Sequence, residues 1–201
     1  MKRWFDLILT LGSLPLWLPL LGLVALLVRV RLGSPVWFTQ ERIGRHGRSF
    51  RLVKFRSMRE ADLDKSLPDA ERLTGFGCWL RATSLDELPE LWHVLTGEMS
   101  LVGPRPLLPQ YLPRYTTRQA CRHDVRPGLT GWAQVNGRNA VDWSTRLAMD
   151  VWYVENRSLW LDLRVIALTF GCVLRCDGVA AAGEVTMPEF TGAPDQEWSP
   201  G

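Results

Sequence analysis

From Leu7 to Val28 the chain reads LILTLGSLPLWLPLLGLVALLV, without a single charged residue. At about 1.5 Å per helical residue, such a run can cross a hydrocarbon core of roughly 30 Å. Membrane contact therefore constrains this fold before any other feature does. A cleaved signal peptide is disfavoured, because the run is long, no small-x-small site follows, and Arg29 and Arg31 come directly after it. Lys2 and Arg3 precede the run, so both flanks are basic. Basic flanks stay on the cytoplasmic side, and a straight span satisfies only one of them. Pro15 and Pro19 each remove a backbone donor, which frees the carbonyls of Leu11 and Pro15. A helix broken at these prolines and returning to the same side satisfies both flanks, provided Thr10, Ser13 or a packed protein surface takes up the freed carbonyls. A kinked spanning helix is the alternative.

A second apolar stretch, residues 158–175, contains Asp162 and Arg164, so a span there would bury charge. A helix lying in the interface fits it better. Trp152, Tyr153 and Trp160 suit either the headgroup boundary or a packed core.

Between these segments PVWFTQ and SFRLVKFRSM read as β-strands joined by GRHGR, a hairpin. Residues 60–72 read as a loop or short helix. Helices are expected from about Pro89 to Leu95, near Leu112 to His123, and from Trp143 to Asn156, where Leu147, Val151 and Val154 share one face. The expected fold is α+β and mainly helical: a monotopic membrane protein with an N-terminal re-entrant helix, a short β-hairpin and interfacial amphipathic helices. Its expected parts are a membrane helix over 1–31, a cytoplasmic catalytic domain over 32–182, and a turn-rich, partly disordered tail over 183–201.

The net charge of +3 is too small, and the basic residues too dispersed among acids, to point to nucleic acid. The basic set is nonetheless skewed, 21 Arg against 3 Lys. Guanidinium groups bind phosphate with a planar fork, so the skew fits phosphate handling; codon usage in a GC-rich genome would produce it equally. The four cysteines lack zinc-ligand spacing and are too few for a disulfide framework, as expected of reduced thiols facing the cytosol.

Candidate chemistry is densest in RATSLDELPELWHVLTGEMSLVGPRP, from Arg81 to Pro106. Ser84 and Glu87 have capping-box spacing, in which Asp86 and Glu87 would only stabilise a helix start. Pro89 argues for a later start, with both acids on the approach to the helix N-terminus, a setting for ionised carboxylates and bound anions. A carboxylate there can attack a phosphoryl centre, dividing one displacement into two. Such chemistry needs positive charge on the phosphoryl oxygens, from Arg or from magnesium. Arg105, between Pro104 and Pro106, and Arg126, before Pro127, are guanidiniums on stiff backbone. Gln134, Asn136, Arg138 and Asn139 crowd a glycine-bounded loop suited to a base or sugar, or to a well-bonded turn. His93 sits among apolar residues and reads as a packed histidine.

Together KRWFD, the proline-broken run, FTQERIGRHGRSFRLVKFRSM, SLDELPELWHVLTGEMSLVGPRPLLPQYLP and RHDVRPGLTGWAQVNGRNAVDW resemble the small monotopic bacterial sugar transferases, the polyprenyl-phosphate phosphoglycosyl transferases. The match extends to about Arg164. The short form, and VTMPEFTG in the tail, are most similar to the bacillosamine-type enzyme of glycan initiation. The resemblance implies a re-entrant helix, a site on the cytoplasmic face of the bacterial inner membrane, Mg2+ dependence and a ping-pong reaction. Asp86 would be the nucleophile that takes a phosphosugar from a UDP-sugar and would lie close to the metal, with Glu87 its partner. Arg105 would contact phosphate, with Arg81 and Arg126 as lesser candidates. Polyprenyl phosphate would then attack the phosphosugar-enzyme. The family's usual Ser-Pro at the helix break is Leu18-Pro19 here, which removes a serine hydroxyl from the bend, and Pro15 with Ser13 is the alternative place for the break. A noncatalytic lipid-binding module and a transferase that forms a glycosidic bond directly are the competing readings; oligomeric state and sugar identity are left open.

Overall fold

The computed structural model describes residues 1–59, 69–137, 141–174 and 189–199. The chain opens with α1 (Lys2–Gly12) and α2 (Leu14–Arg31), and the junction at Ser13 breaks the apolar run. Of the two places the sequence offered, the break lies at Ser13 beside Pro15 and not at Pro19. Pro15 falls in the first turn of α2, where no intrahelical donor is needed, and Pro19 is carried inside α2. Breaking at Ser13 orphans the Thr10 carbonyl, which accepts instead from the Trp17 indole at 3.0 Å and the Ser13 hydroxyl at 3.2 Å. The Ser13 hydroxyl also donates to the Leu9 carbonyl at 2.7 Å. Ser13 and Trp17 thus do what a Ser-Pro hydroxyl would have done.

The hairpin forms as read. β1 (Trp37–Ile43) and β2 (Ser49–Phe55) pair antiparallel, with Trp37 opposite Phe55 and Ile43 opposite Ser49. His46 and Gly47 turn the chain with φ of 57° and 73°. Two short helices follow, α3 (Asp69–Arg72) and α4 (Gly75–Ala82). Then come a 3-10 turn, Leu85–Glu87, and α5 (Glu90–Thr96). The strand β3 (Ser100–Val102), the helix α6 (Thr117–Ala120) and the strand β4 (Gly128–Thr130) complete this half, with β3 and β4 parallel. The helix expected near Leu112 to His123 is α6 between two 3-10 turns, because Pro113 and the Thr116 cap interrupt it. The chain continues through α7 (Trp132–Asn136), α8 (Trp143–Asn156) and α9 (Leu159–Leu174).

Both ends of the N-terminal apolar pair pack on this body. Near the start of α1, Lys2 meets Asp162 at 2.5 Å, Arg3 donates to the Val94 and Leu95 carbonyls, and the Asp6 carboxylate accepts from Ser100. At the far end of α2, Val24 and Val28 are buried with Phe55 and Leu80. Between these anchors Ile8, Leu16, Leu18, Leu23 and Leu26 remain exposed. By length and apolarity α2 could cross a membrane.

The aromatics of α8 and α9 marked for the headgroup boundary divide by place. Tyr153 belongs to the core, donating to Asp162 at 2.6 Å, and Trp152 stacks near Trp132 and Trp198, whereas Trp160 is 78% exposed. From the tail, residues 189–199 lie across the body. Phe190 fills a box of Tyr111, Tyr115 and Trp143, and Gln119 donates to the Ala193 carbonyl.

Candidate active site

The turn carrying Asp86 and Glu87 packs on the hairpin strand β2 and on α4. Ser84 has φ of 55° and makes no side-chain cap, so the capping-box reading fails. Instead Leu85–Glu87 forms a separate 3-10 turn and Pro89 sits at the N-cap of α5. The left-handed Ser84 diverts the chain and gives the two adjacent acids different surroundings.

Glu87 is gripped. Its Oε1 accepts from Lys54 Nζ at 2.6 Å and from Arg105 Nη2 at 2.7 Å. Burial alone would raise this carboxyl, but the Arg105 and Lys54 charges outweigh it and hold the group well below the usual carboxylate range. Lys54 also meets Glu90 at 2.9 Å, and burial raises the Glu90 carboxyl against the pull of that ammonium.

Asp86 is only 9% exposed, and its carboxylate has no hydrogen-bond or ion-pair partner among the described residues. Burial first and the Glu87 charge second push its pKa up to about 7, against Lys54, Arg105 and Arg81. One acid of the pair is therefore locked as an anion, while the other titrates near 7 and lies buried behind the lining of the adjoining cavity, which includes its neighbour Glu87 but not Asp86 itself.

Arg105 reaches Glu87 because its loop is seated closely. A Cβ on Gly103 would stand 2.4 Å from the Arg126 carbonyl, and one on Gly128 would stand 2.0 Å from the Gly103 nitrogen. Only glycines allow β3 and β4 to pass this near.

A cavity of about 630 Å³ opens beside the cluster, a volume ordinary for a small-ligand site. Arg81, Glu87, Arg105 and Gln134 line it, and its walls include Leu91 of α5 and Ile166 of α9. Arg81 donates to the Ser57 hydroxyl at 2.9 Å, and Gln134 donates to the Leu129 carbonyl at 3.3 Å. The structure does not bring every marked residue here. Arg126 donates to the Gly97 carbonyl at 2.7 Å, at the end of α5, and Asn136 donates to the Trp132 carbonyl within its own helix. Arg138 and Asn139 lie outside the described residues.

Two members of the cluster, Lys54 and Glu90, are absent from the set marked by motif and spacing. A signal for Lys54 existed. In a strand, residues two apart share a face, so Lys54 shares one with Leu52, which is 4% exposed. A lysine on the apolar face of a strand needs a buried acid.

The family described as Bacterial sugar transferase matches residues 1–176. The chain is 48% identical to the uncharacterized sugar transferase EpsL of Bacillus subtilis, over 97% of this chain and 98% of that protein. It is 42% identical to the UDP-galactose-lipid carrier transferase of Erwinia amylovora, over 89% of this chain but 41% of that protein. It is 40% identical to the UDP-glucose:undecaprenyl-phosphate glucose-1-phosphate transferase of Escherichia coli, over 84% of this chain and 39% of that protein. The chain thus spans about two fifths of the two longer relatives.

Proposed function

The chain belongs to the bacterial sugar transferase family, and we propose that it transfers a sugar 1-phosphate from a UDP-sugar to polyprenyl phosphate, releasing UMP, at the cytoplasmic face of the bacterial inner membrane. The observation that carries this reading is the asymmetry of the two acids: Glu87 is bound by two cations, while Asp86 is buried and free of partners among the described residues.

In the first half-reaction an Asp86 oxygen attacks the phosphorus that bears the sugar. The bond from that phosphorus to the bridging oxygen breaks, UMP leaves with the oxygen, and an acyl phosphate links the sugar phosphate to Asp86. In the second, an oxygen of polyprenyl phosphate attacks the same phosphorus and restores the Asp86 carboxylate, giving polyprenyl-diphosphate-sugar. The attacking form of Asp86 is the ionised carboxylate, so a proton held there near neutral pH must leave before the first step. Glu87 holds the Lys54 ammonium and the Arg105 guanidinium where charge gathers on the phosphoryl oxygens. Among the described residues no three His, Cys, Asp or Glu side chains form a protein-only metal cage. An unpartnered Asp86 carboxylate beside a phosphate site suits magnesium, which takes one or two carboxylates and completes its shell from water and substrate. Bound there, Mg2+ would neutralise phosphate charge.

The membrane reading is a re-entrant one. It is supported by the two anchors of the α1–α2 pair on one body and by the exposed apolar side chains between them. The described part of the cavity includes Leu9 and Ser13 of that pair, so a lipid acceptor would meet the site from the bilayer.

Intact-protein mass spectrometry tests the chemistry. Protein is mixed briefly with Mg2+ and candidate UDP-sugars without acceptor. A gain equal to one phosphosugar, absent from Asp86→Asn, is expected, and offering the UDP-sugars one at a time names the sugar, since isomeric hexoses share a mass. Turnover with acceptor but no adduct would mean direct transfer.

A further inference from the structure

Arg146 lies outside every motif considered above. It is 8% exposed on α8, its guanidinium stands 5.6 Å from the centre of the Trp143 ring, and it lines the same cavity as Arg81, Glu87 and Arg105. Glu87 is the one carboxylate among the described residues of that wall, and Lys54 and Arg105 already bind it. The cavity therefore carries an excess of positive charge in a partly desolvated place, a field that draws in anions.

The placement of Arg146 relative to Arg105 is fixed by a third guanidinium. Arg122, 3% exposed, donates to the Arg105 carbonyl at 2.8 Å and to the Asp150 carboxylate at 2.7 Å. Asp150 is four residues beyond Arg146, about one helical turn along α8. One buried side chain thus fastens the Arg105 loop to the α8 wall. Burial, and then the Arg105 charge, lower the Arg146 pKa to about 10, as expected where two cations face one space. The Asp150 charge offsets part of that repulsion, and a phosphate between two forked donors would offset more.

We infer that Arg146 is a phosphate-binding residue that works with Arg105 as a two-guanidinium clamp. The inference rests on the proposed reaction for the source of the phosphate, which is either the nucleotide or the lipid acceptor.

Calorimetric titration separates these sources. UMP, inorganic pyrophosphate and a short polyprenyl phosphate in detergent are each titrated into wild type, Arg146→Gln and Arg146→Lys, with melting curves for all three proteins. The expected result is a rise of at least tenfold in Kd for one organic ligand in Arg146→Gln, a smaller rise in Arg146→Lys, and a matching rise in KM for that substrate. Loss confined to UMP places the clamp on the nucleotide, and loss confined to the lipid places it on the acceptor. Should Arg146→Gln not fold, Arg146→Lys, which keeps the charge and loses the fork, decides. If wild type binds pyrophosphate but neither organic ligand, and the variants lose that binding, the clamp stands and the proposed reaction falls. Affinities within twofold of wild type for all probes, or no binding of any probe by wild type, overturn the clamp.

Discussion

The Lys54 ammonium lies 2.6 Å from the Glu87 carboxylate and 2.9 Å from that of Glu90, so one strand lysine joins the hairpin to both ends of the segment bearing the candidate nucleophile. Replacing it with Met leaves two acids without that cation. Breaking a mostly buried pair costs about 3 to 5 kcal/mol, and Glu87 would remain tied only to Arg105. Lys54→Met is expected to melt several degrees lower and to lose at least about tenfold in kcat. Lys54→Arg should recover stability better than rate, because the guanidinium keeps the charge but not the geometry. Wild-type kinetics in Lys54→Met would remove Lys54 from the site.

Asp6 fixes α1 to the catalytic body. Its carboxylate accepts from the Ser100 hydroxyl at 2.8 Å and from the Leu101 amide at 3.3 Å, and the residue is 2% exposed. Asp6→Ala leaves a buried donor without an acceptor, at a cost of about 1 to 3 kcal/mol. Since Leu101 also lines the cavity, KM should rise together with the fall in melting temperature. Unchanged thermal denaturation in detergent would show that this anchor is dispensable.

How much of this was legible in the sequence depended on the range of the signal. The hairpin and α8 could be read because alternation and helical spacing are local, and α8 begins and ends where its Asp142 cap and apolar face require. Asp86, Glu87 and Arg105 could be marked from local signals, the prolines beside them, whereas Arg81, inside the regular helix α4, was marked only by the family resemblance. The parallel β3–β4 pairing could not, since three-residue strands carry no period and their partners are 28 residues apart. Arg126 misled for a related reason. A proline after an arginine shows that the backbone is stiff, but not which carbonyl the side chain will meet, and Gly97 is far away in sequence. Ser13 was nearly hidden beside Pro15 and Pro19, because a proline in the first turn of a helix marks a start rather than a break.

His123 should give the protein a distinct acid sensitivity. Burial, reinforced by the Arg122 charge and opposed by a hydrogen bond with Gly44, lowers its pKa from 6.5 to about 4. Tyr115 packs against the ring with centroids 5.5 Å apart. In the unfolded chain the imidazole takes up a proton near 6.5, whereas the folded state resists until about 4. The unfolded state therefore binds more protons across this window, and stability falls as pH drops through it. The contribution is present above 6.5 and lost on approach to 4, on the order of 1 to 3 kcal/mol. Melting temperature against pH should be flatter for His123→Gln than for wild type over that range. Parallel curves would exclude His123 as the cause.

The Ser13 junction makes the last prediction, about topology. At this break the Thr10 and Leu9 carbonyls are covered by the Ser13 hydroxyl and the Trp17 indole, although the buried Thr10 hydroxyl has no partner among the described residues. A re-entrant pair then keeps Lys2 and Arg31 on one side, whereas a span separates them. In a cysteine-free background, a thiol placed ahead of Lys2 and another at Arg31→Cys should both be labelled by an impermeant reagent in inside-out vesicles and neither in right-side-out vesicles. Ser13→Ala removes one hydroxyl donor shared between the Leu9 and Thr10 carbonyls, a loss of about 0.5 to 1.5 kcal/mol; Trp17→Phe uncovers Thr10 further. If bend satisfaction holds the re-entrant form, the double variant should shift labelling at one position to the opposite side, because a straighter helix would restore the orphaned carbonyls. Opposite-side labelling already in the wild type would mean that the run spans the bilayer, and the exposed Leu16, Leu18 and Leu23 would then face lipid along a crossing helix.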